Sequence, residues 1–298
     1  MPDLADLFPG YESHWIDTDA GRIFVRTGGK GPPLLLLHGH PQTNVMWHRV
    51  APALAEKYSL ILPDLPGYGW SAAPKAKPDH SPYDKRSMAN AIIAVMEQLG
   101  HVRWKLAGHD RGGRVGYRMA LDHPGRIEKL AVLDIVPTYN MWKDLDDNLA
   151  MKIWHWTFLA QPYPLPEKMV GGAPIDYWNL KSSKQSGTKD ISCFDPRALA
   201  HYHTFFNDPT RIHALCEDYR AGQTRDLEFD SADRDAGNKI TIPLFALWGD
   251  KGIPSEKTPL DVWRQWATNV SGHSLSCGHY LAEEKPEETQ AALLKFFA

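Results

Sequence analysis

Short apolar runs alternate with segments of helical period along most of the chain. GRIFVRT at 21–27, PPLLLLHG at 32–39 and SLILPDL at 59–65 read as strands, and a glycine-rich loop, PGYGWS, follows the last of them. SMANAIIAVMEQLG at 87–100 repeats its apolar positions every three to four residues, the period of a helix with one buried face. Next come a strand, WKLAGHD at 104–110, a helix, RGGRVGYRMALDHP, and another strand, KLAVLDIV at 129–136. Strands that are apolar along their whole length are buried on both faces. The pattern therefore predicts an α/β fold, a mostly parallel sheet with helices on both sides.

The pattern changes after Pro137. Up to about residue 229 the chain is rich in Trp, Tyr, His and Pro and offers no clear strand, so this stretch reads as a helical insertion between two strands. The sheet pattern returns with IPLFALWGD at 242–250, a helix around 258–268, a strand at HSLSC and a last helix from Pro286. The expected organisation is a core formed by 1–137 and 230–298, with a helical cap at 138–229. No repeat, long linker or low-complexity tract interrupts it.

Composition narrows the partners. The 298 residues are 43% hydrophobic, enough for a sizeable core. The formal net charge is -3 and no Lys/Arg run stands out, which argues against nucleic acid or an anionic membrane surface as a partner. The opening MPDLADLFPG has no basic stretch before an apolar one, so it does not read as a secretory signal, and no apolar run approaches the length of a bilayer span. Cys193, Cys216 and Cys277 lack CxxC spacing, pointing to a reducing, cytoplasmic setting without zinc or disulfides.

The chemistry is concentrated at LAGHDRGG, 106–113. A buried strand ends in small-x-acid-x-small and a helix begins at once, the form of a nucleophile elbow. Gly108 and Gly112 take the small positions and Asp110 the nucleophile's place, at a helix N-terminus where the dipole favours an ionised carboxylate. Taken alone, Asp110 would be a helix N-cap. The wider context favours the nucleophile. HGHP at 38–41 ends an earlier strand, where an oxyanion hole would draw on the backbone N–H of His40 together with that of Arg111. Asp134 ends the following strand, and His279 follows the last one. Nucleophile, acid, histidine is the chain order of the α/β-hydrolase triad.

An aspartate nucleophile displaces a leaving group from an sp³ carbon and forms an alkyl-enzyme ester. The histidine then activates water against that ester, while backbone N–H groups hold the oxyanion. Two acids compete to support His279. Asp250 in WGDKG lies two positions early for the place after the WG strand and suits a solvated turn, whereas Asp134 fills the alternative position. Asp134 is the preferred acid.

Over its whole length the chain resembles the fluoroacetate dehalogenase family of α/β-hydrolases. The motifs are HGHPQT at 38–43, DLPGYGWS at 64–71, GHDRGGR at 108–114, LDIVPT at 133–138, IWHWTFLAQP at 153–162, CEDYRAG at 216–222 and GHYLAEE at 278–284. The resemblance implies an eight-stranded sheet, a homodimer, and hydrolysis of haloacetates to glycolate and halide without metal or cofactor. It also implies that His155, Trp156 and Tyr219 hold the leaving halide, for which their ring N–H, indole N–H and phenol O–H are suitable donors. The plain alternative for these three is an aromatic core within the cap.

Arg111 and Arg114, three residues apart, share one helix face and suit a clamp on the substrate carboxylate. Alternatively one of them pairs with Asp110 or a core acid, a reading that weighs more evenly on Arg114. Haloalkane dehalogenases and most epoxide hydrolases resemble each other in carrying Trp where Arg111 stands, so Arg111 points to an anionic substrate. His40 departs from the family, whose members mostly have Phe there. His38 and His40 have no further ligands nearby to make a metal pair, and Gln185 lies in a Lys/Ser-rich cap segment that no motif ties to a pocket. Two readings compete with haloacetate hydrolysis. One is an epoxide hydrolase with cap donors among Tyr139, Tyr163, Tyr177 and Tyr202. The other is a non-catalytic carboxylate-binding receptor, which would have no need of an intact Asp110, Asp134 and His279 set.

Overall fold

The computed structural model describes residues 4–252 and 258–298. Its strands are Glu12–Thr18 (β1), Gly21–Gly28 (β2), Pro33–Leu37 (β3), Ser59–Pro63 (β4), Trp104–His109 (β5), Ile127–Leu133 (β6), Leu244–Gly249 (β7) and Val270–Leu275 (β8). They form one eight-stranded sheet in the order β1-β2-β4-β3-β5-β6-β7-β8. β2 runs antiparallel to both β1 and β4, and the remaining pairs are parallel. This is the mostly parallel sheet that the apolar runs predict. Successive residues of a strand point to opposite faces, so Leu34 and Leu36 enter one apolar cluster while Leu35 and Leu37 enter the other.

The two edge strands carry little apolar signal. β1 buries only Ile16 and leaves Trp15 50% exposed, so it carries no apolar signature, and its place comes from the antiparallel register of Thr18 against Gly21. β8 starts at Val270, three residues before HSLSC, because this edge strand has no fully buried residue to mark it.

Helices α1 (Ala51–Ala55), α2 (Lys85–Gln98) and α3 (Arg111–Asp122) connect the first strands. Between β6 and β7 come α4 (Thr138–Lys143), α5 (Asp147–Lys152), α6 (Trp154–Leu159), α7 (Leu165–Gly172), α8 (Pro174–Gln185), α9 (Pro196–Phe206), α10 (Pro209–Gln223) and α11 (Arg225–Ala236). α12 (Pro259–Trp266), α13 (Leu281–Glu284) and α14 (Pro286–Phe297) complete the core. Among the described residues no helix is long and apolar enough to cross a membrane.

The expected seam between 229 and 230 falls inside α11. This helix is tied to the core along its length: Asp226 accepts from Lys85 N at 2.7 Å, Arg86 stacks on Phe229 at 3.8 Å, and Asp230 accepts from the Tyr117 hydroxyl at 2.8 Å. On the other side, Trp156, Trp178, Tyr202 and Tyr219 of the cap belong to the same apolar cluster as Leu34 and Leu36, so the cap rests directly on that layer.

Candidate active site

β5 ends at His109 and α3 begins at Arg111, leaving Asp110 alone on the turn with φ at 45°. The small neighbours are a steric necessity. A Cβ on Gly108 would lie 2.5 Å from the Gly112 carbonyl oxygen, and one on Gly112 would lie 2.4 Å from that of His38. The Asp110 carboxylate, 8% exposed, is divided between two roles. Its Oδ1 accepts a hydrogen bond from the His40 backbone N–H at 2.8 Å, and its Oδ2 lies 3.9 Å from His279 Nε2. The Arg111 backbone N–H, expected beside that of His40, makes no hydrogen bond to this carboxylate. Burial by itself would raise the Asp110 pKa, but electrostatic interaction with His279, and then with Arg111 and Lys181, holds it well below the usual carboxylate range. The carboxylate is therefore held ionised at neutral pH.

His279 Nδ1 lies 2.5 Å from Asp134 Oδ2, and Asp134 Oδ1 accepts from the Gly249 N–H at 2.9 Å. The acid is thus fixed by backbone and in turn fixes the ring's tautomer. Asp250 is exposed and has no bond to His279. His109, packed 4.6 Å from the His279 ring, is neutral because burial pushes its pKa down to about 3.

Arg111 is fully buried, yet its Nε, Nη1 and Nη2 make no hydrogen bond. Its guanidinium lies 3.5 Å above the Tyr219 ring and 4.8 Å from that of Trp156, with Asp218 Oδ1 at 3.3 Å from Nη1. Burial by itself would lower the pKa of Arg111, but Tyr219, Asp218, Asp110 and Tyr68 raise it, so the group stays charged. Arg114 is different. Its Nη1 donates to the Val136 carbonyl at 2.9 Å and the Thr138 hydroxyl at 3.1 Å, while its guanidinium lies 4.6 Å from the Trp156 ring. It pairs with no acid, and part of its donor set is spent on the loop after β6.

α6 and α10 bring His155, Trp156 and Tyr219 together. The Tyr219 ring lies 5.8 Å from that of His155 and 5.7 Å from that of Trp156. His40 joins them at 5.7 Å from Tyr219, with both ring nitrogens buried and unpartnered. Burial, reinforced by the Lys181 charge, keeps His155 neutral, a donor through one N–H. The four tyrosines considered as epoxide donors do not converge. Tyr163 is 69% exposed, Tyr202 donates to Glu283 at 2.6 Å, Tyr139 packs on Trp266, and Tyr177 stacks on Phe206.

Three residues of the site escaped the sequence reading. Lys181, 2% exposed on α8, donates to the His40 carbonyl and the Tyr280 hydroxyl, both at 3.4 Å. Burial pushes its pKa down to about 7, against a raising effect of Asp110. The signal available was the 178, 181, 182, 185 spacing, which puts Lys181 on the same helical face as Trp178. Asp218, beside Arg111, also accepts from the Tyr68 hydroxyl and from Lys85. Gln185 lies against the catalytic loop after all, its carbonyl accepting the His279 N–H at 2.9 Å.

Potential metal ligands elsewhere are engaged. Glu167, His213 and Glu217 converge within 4.8 Å, but Arg220 Nη1 already binds Glu167 at 2.7 Å and Glu217 at 2.6 Å. His38 Nε2 accepts from the Leu65 N–H at 2.9 Å and is structural.

Comparisons with known proteins agree with this geometry. Residues 32–286 match the family described as the alpha/beta hydrolase fold. The chain is 41% identical to a fluoroacetate dehalogenase of Burkholderia sp. over 98% of this chain and 95% of that one. It is 31% identical to a soluble epoxide hydrolase of Corynebacterium sp. strain C12, over 98% and 96% respectively. A solved structure from Nostoc sp. PCC 7120, described as an α/β hydrolase, superimposes with a TM-score of 0.93 at 48% identity, covering 97% of this chain and 98% of its own.

Proposed function

The chain belongs to the alpha/beta hydrolase fold family, and within it we propose that the protein hydrolyses haloacetates, fluoroacetate among them, to glycolate and halide. The observation that carries this reading is Arg111, a buried and charged guanidinium next to the nucleophile with none of its donors hydrogen-bonded. Asp218 balances its charge at Nη1 without hydrogen-bonding it, and a planar substrate carboxylate matches the donors that remain free. An epoxide or a neutral haloalkane offers nothing to it.

The proposed course follows from the two ends of the Asp110 carboxylate. The substrate carboxylate lies on Arg111, with Arg114 adding positive charge, which sets the methylene carbon before Asp110 Oδ2. Oδ2 attacks that carbon as the C–X bond breaks, and the halide leaves toward His155, Trp156 and Tyr219. Oδ1, already on the His40 N–H, becomes the carbonyl oxygen of the ester. Water held by His279 Nε2 then adds to the Asp110 Cγ, its proton passing to the imidazole and the charge being balanced by Asp134. The oxyanion develops on Oδ1, where the His40 N–H waits. Collapse expels glycolate, which carries away the former Oδ2 and the proton from His279.

A second copy of the chain is proposed as partner, in keeping with the exposed Met151, Tyr163, Leu165 and Met169 on the cap, and sedimentation velocity tests it. The proposed cytoplasmic setting accords with three free cysteines.

Replacing His279 by Asn and adding chloroacetate tests the reaction. The alkyl-enzyme is expected to accumulate and to be seen by intact mass, while a fluoride electrode registers release from fluoroacetate with the unaltered enzyme. Turnover of styrene oxide without any release of halide from either haloacetate would overturn the reading in favour of epoxide hydrolysis.

A further inference from the structure

The backbone around the catalytic histidine is held in an unusual way. Gly278, His279 and Tyr280 present three successive N–H groups, and each has a partner outside the segment 278–280. The His279 N–H goes to the carbonyl of Gln185, the last residue of cap helix α8. The N–H groups on either side both go to one side chain: Gly278 to Glu284 Oε2 at 2.9 Å and Tyr280 to Glu284 Oε1 at 3.1 Å. Oε2 also accepts the Gly187 N–H from the turn after α8, at 2.8 Å. The His279 carbonyl accepts from His109 Nε2 at 2.7 Å.

The two turns meet at backbone distance. A Cβ on Gly278 would lie 2.3 Å from Gly187 N and 2.4 Å from the Gln185 carbonyl oxygen. Two residues farther along, the Tyr280 hydroxyl donates to Gln185 Oε1 at 3.2 Å and accepts from Lys181, which also reaches the His40 carbonyl. The end of α8 thus touches both the oxyanion-hole loop and the histidine loop, and a single carboxylate clips it there.

We propose that Glu284 is the positioning residue of His279, and that it fastens the cap to the catalytic loop through Gly187. The inference rests on the role given to His279 above. Glu284 touches no reacting atom. It fixes where the imidazole stands relative to the Asp110 carbonyl carbon, a distance that matters for ester hydrolysis and not for alkylation, because Asp110 attacks unaided. Charge-assisted bonds from a carboxylate to N–H groups are among the stronger kinds, and three converge here.

Rapid-quench single turnovers with chloroacetate, read by intact mass, separate the two steps. In Glu284→Ala, hydrolysis of the alkyl-enzyme is expected to slow by about tenfold to hundredfold, with alkylation changed by less than about threefold, since a loosened catalytic group costs rate only where it acts. Glu284→Gln, which keeps one acceptor oxygen and loses the charge, should fall between. Gly187→Ala presses on the clip from the cap side, its methyl lying 2.6 Å from Glu284 Oε2 and 2.8 Å from Gly278 N, and should slow hydrolysis in the same selective way. If Glu284→Ala does not fold, Glu284→Gln decides by the same criterion, because Gly187→Ala also presses on the histidine loop directly. Equal losses in both steps, or unchanged hydrolysis, would overturn the inference. If His279→Asn fails to trap the ester, it is the assignment of His279 as the base that falls.

Discussion

Arg111 lies over the ring of Tyr219, its guanidinium carbon 3.5 Å from the ring centroid. Asp218 Oδ1 lies 3.3 Å from Nη1, which leaves Nε and Nη2 for an anionic substrate. Replacing Arg111 by Leu should lower kcat/KM for haloacetates by about hundredfold or more, the scale of losing a buried bidentate pair. Arg111→Lys should recover little, because an ammonium neither stacks nor forks. Steady-state kinetics with chloroacetate beside a neutral haloalkane check this, and equal losses on the two substrates would contradict a carboxylate clamp.

Asp134 and Asp250 make opposite predictions. Asp134→Asn removes the acceptor for His279 Nδ1 and should slow turnover by about 10³-fold or more, the scale of a mis-set histidine tautomer in this kind of triad. Asp250→Asn should leave turnover within about twofold, as expected for an exposed turn residue. Comparing kcat for the two variants settles which acid supports the histidine.

The Lys181 ammonium adds positive potential that is felt at Asp110, His40 and His155. With its pKa near 7, raising the pH through neutrality removes that charge, so affinity for an anionic substrate should fall on the alkaline side. The expected size is about fivefold in kcat/KM for a buried unit charge a few ångströms away. Lys181→Met should abolish this limb and start from the lower level. A limb that survives in the variant would assign it to another group.

Glu283 is buried, accepts from Tyr202 at 2.6 Å, and has its pKa pushed up to about 8 by burial. Since the folded state holds this proton more tightly than the unfolded chain, its contribution is complete below the ordinary carboxylate range and is lost as pH rises through about 8. Glu283→Gln mimics the protonated acid and should raise Tm at pH 9 by about 2–4 °C for each kcal/mol recovered, with little change at pH 4. Thermal melts across that range check the slope.

Much of the site is local and was therefore legible. The elbow at 106–113 needs small residues where two backbones touch, and Gly108 and Gly112 each stand two residues from the aspartate they serve. Long-range packing left weaker traces. β1 and β8 carry little apolar signal because edge strands bury little, and the seam near 229 was hidden because α11 turns its acids, Asp226 and Asp230, toward core partners. Lys181 and Glu284 are charged residues in charged surroundings, and nothing in their neighbours distinguishes a buried cation or a clip from a solvated face.

The alternation of strands and helices, the aspartate on a strand-to-helix turn, the histidine after the last strand and the arginine beside the nucleophile were determined by the sequence itself, because each depends on chain neighbours a few residues apart. The choice of Asp134 as His279's partner, the division of labour between Arg111 and Arg114, and the seating of α8 on the catalytic loop were decided only in three dimensions. Those depend on groups 22 to 145 positions apart meeting at hydrogen-bond distance, and no periodicity along a chain records such meetings.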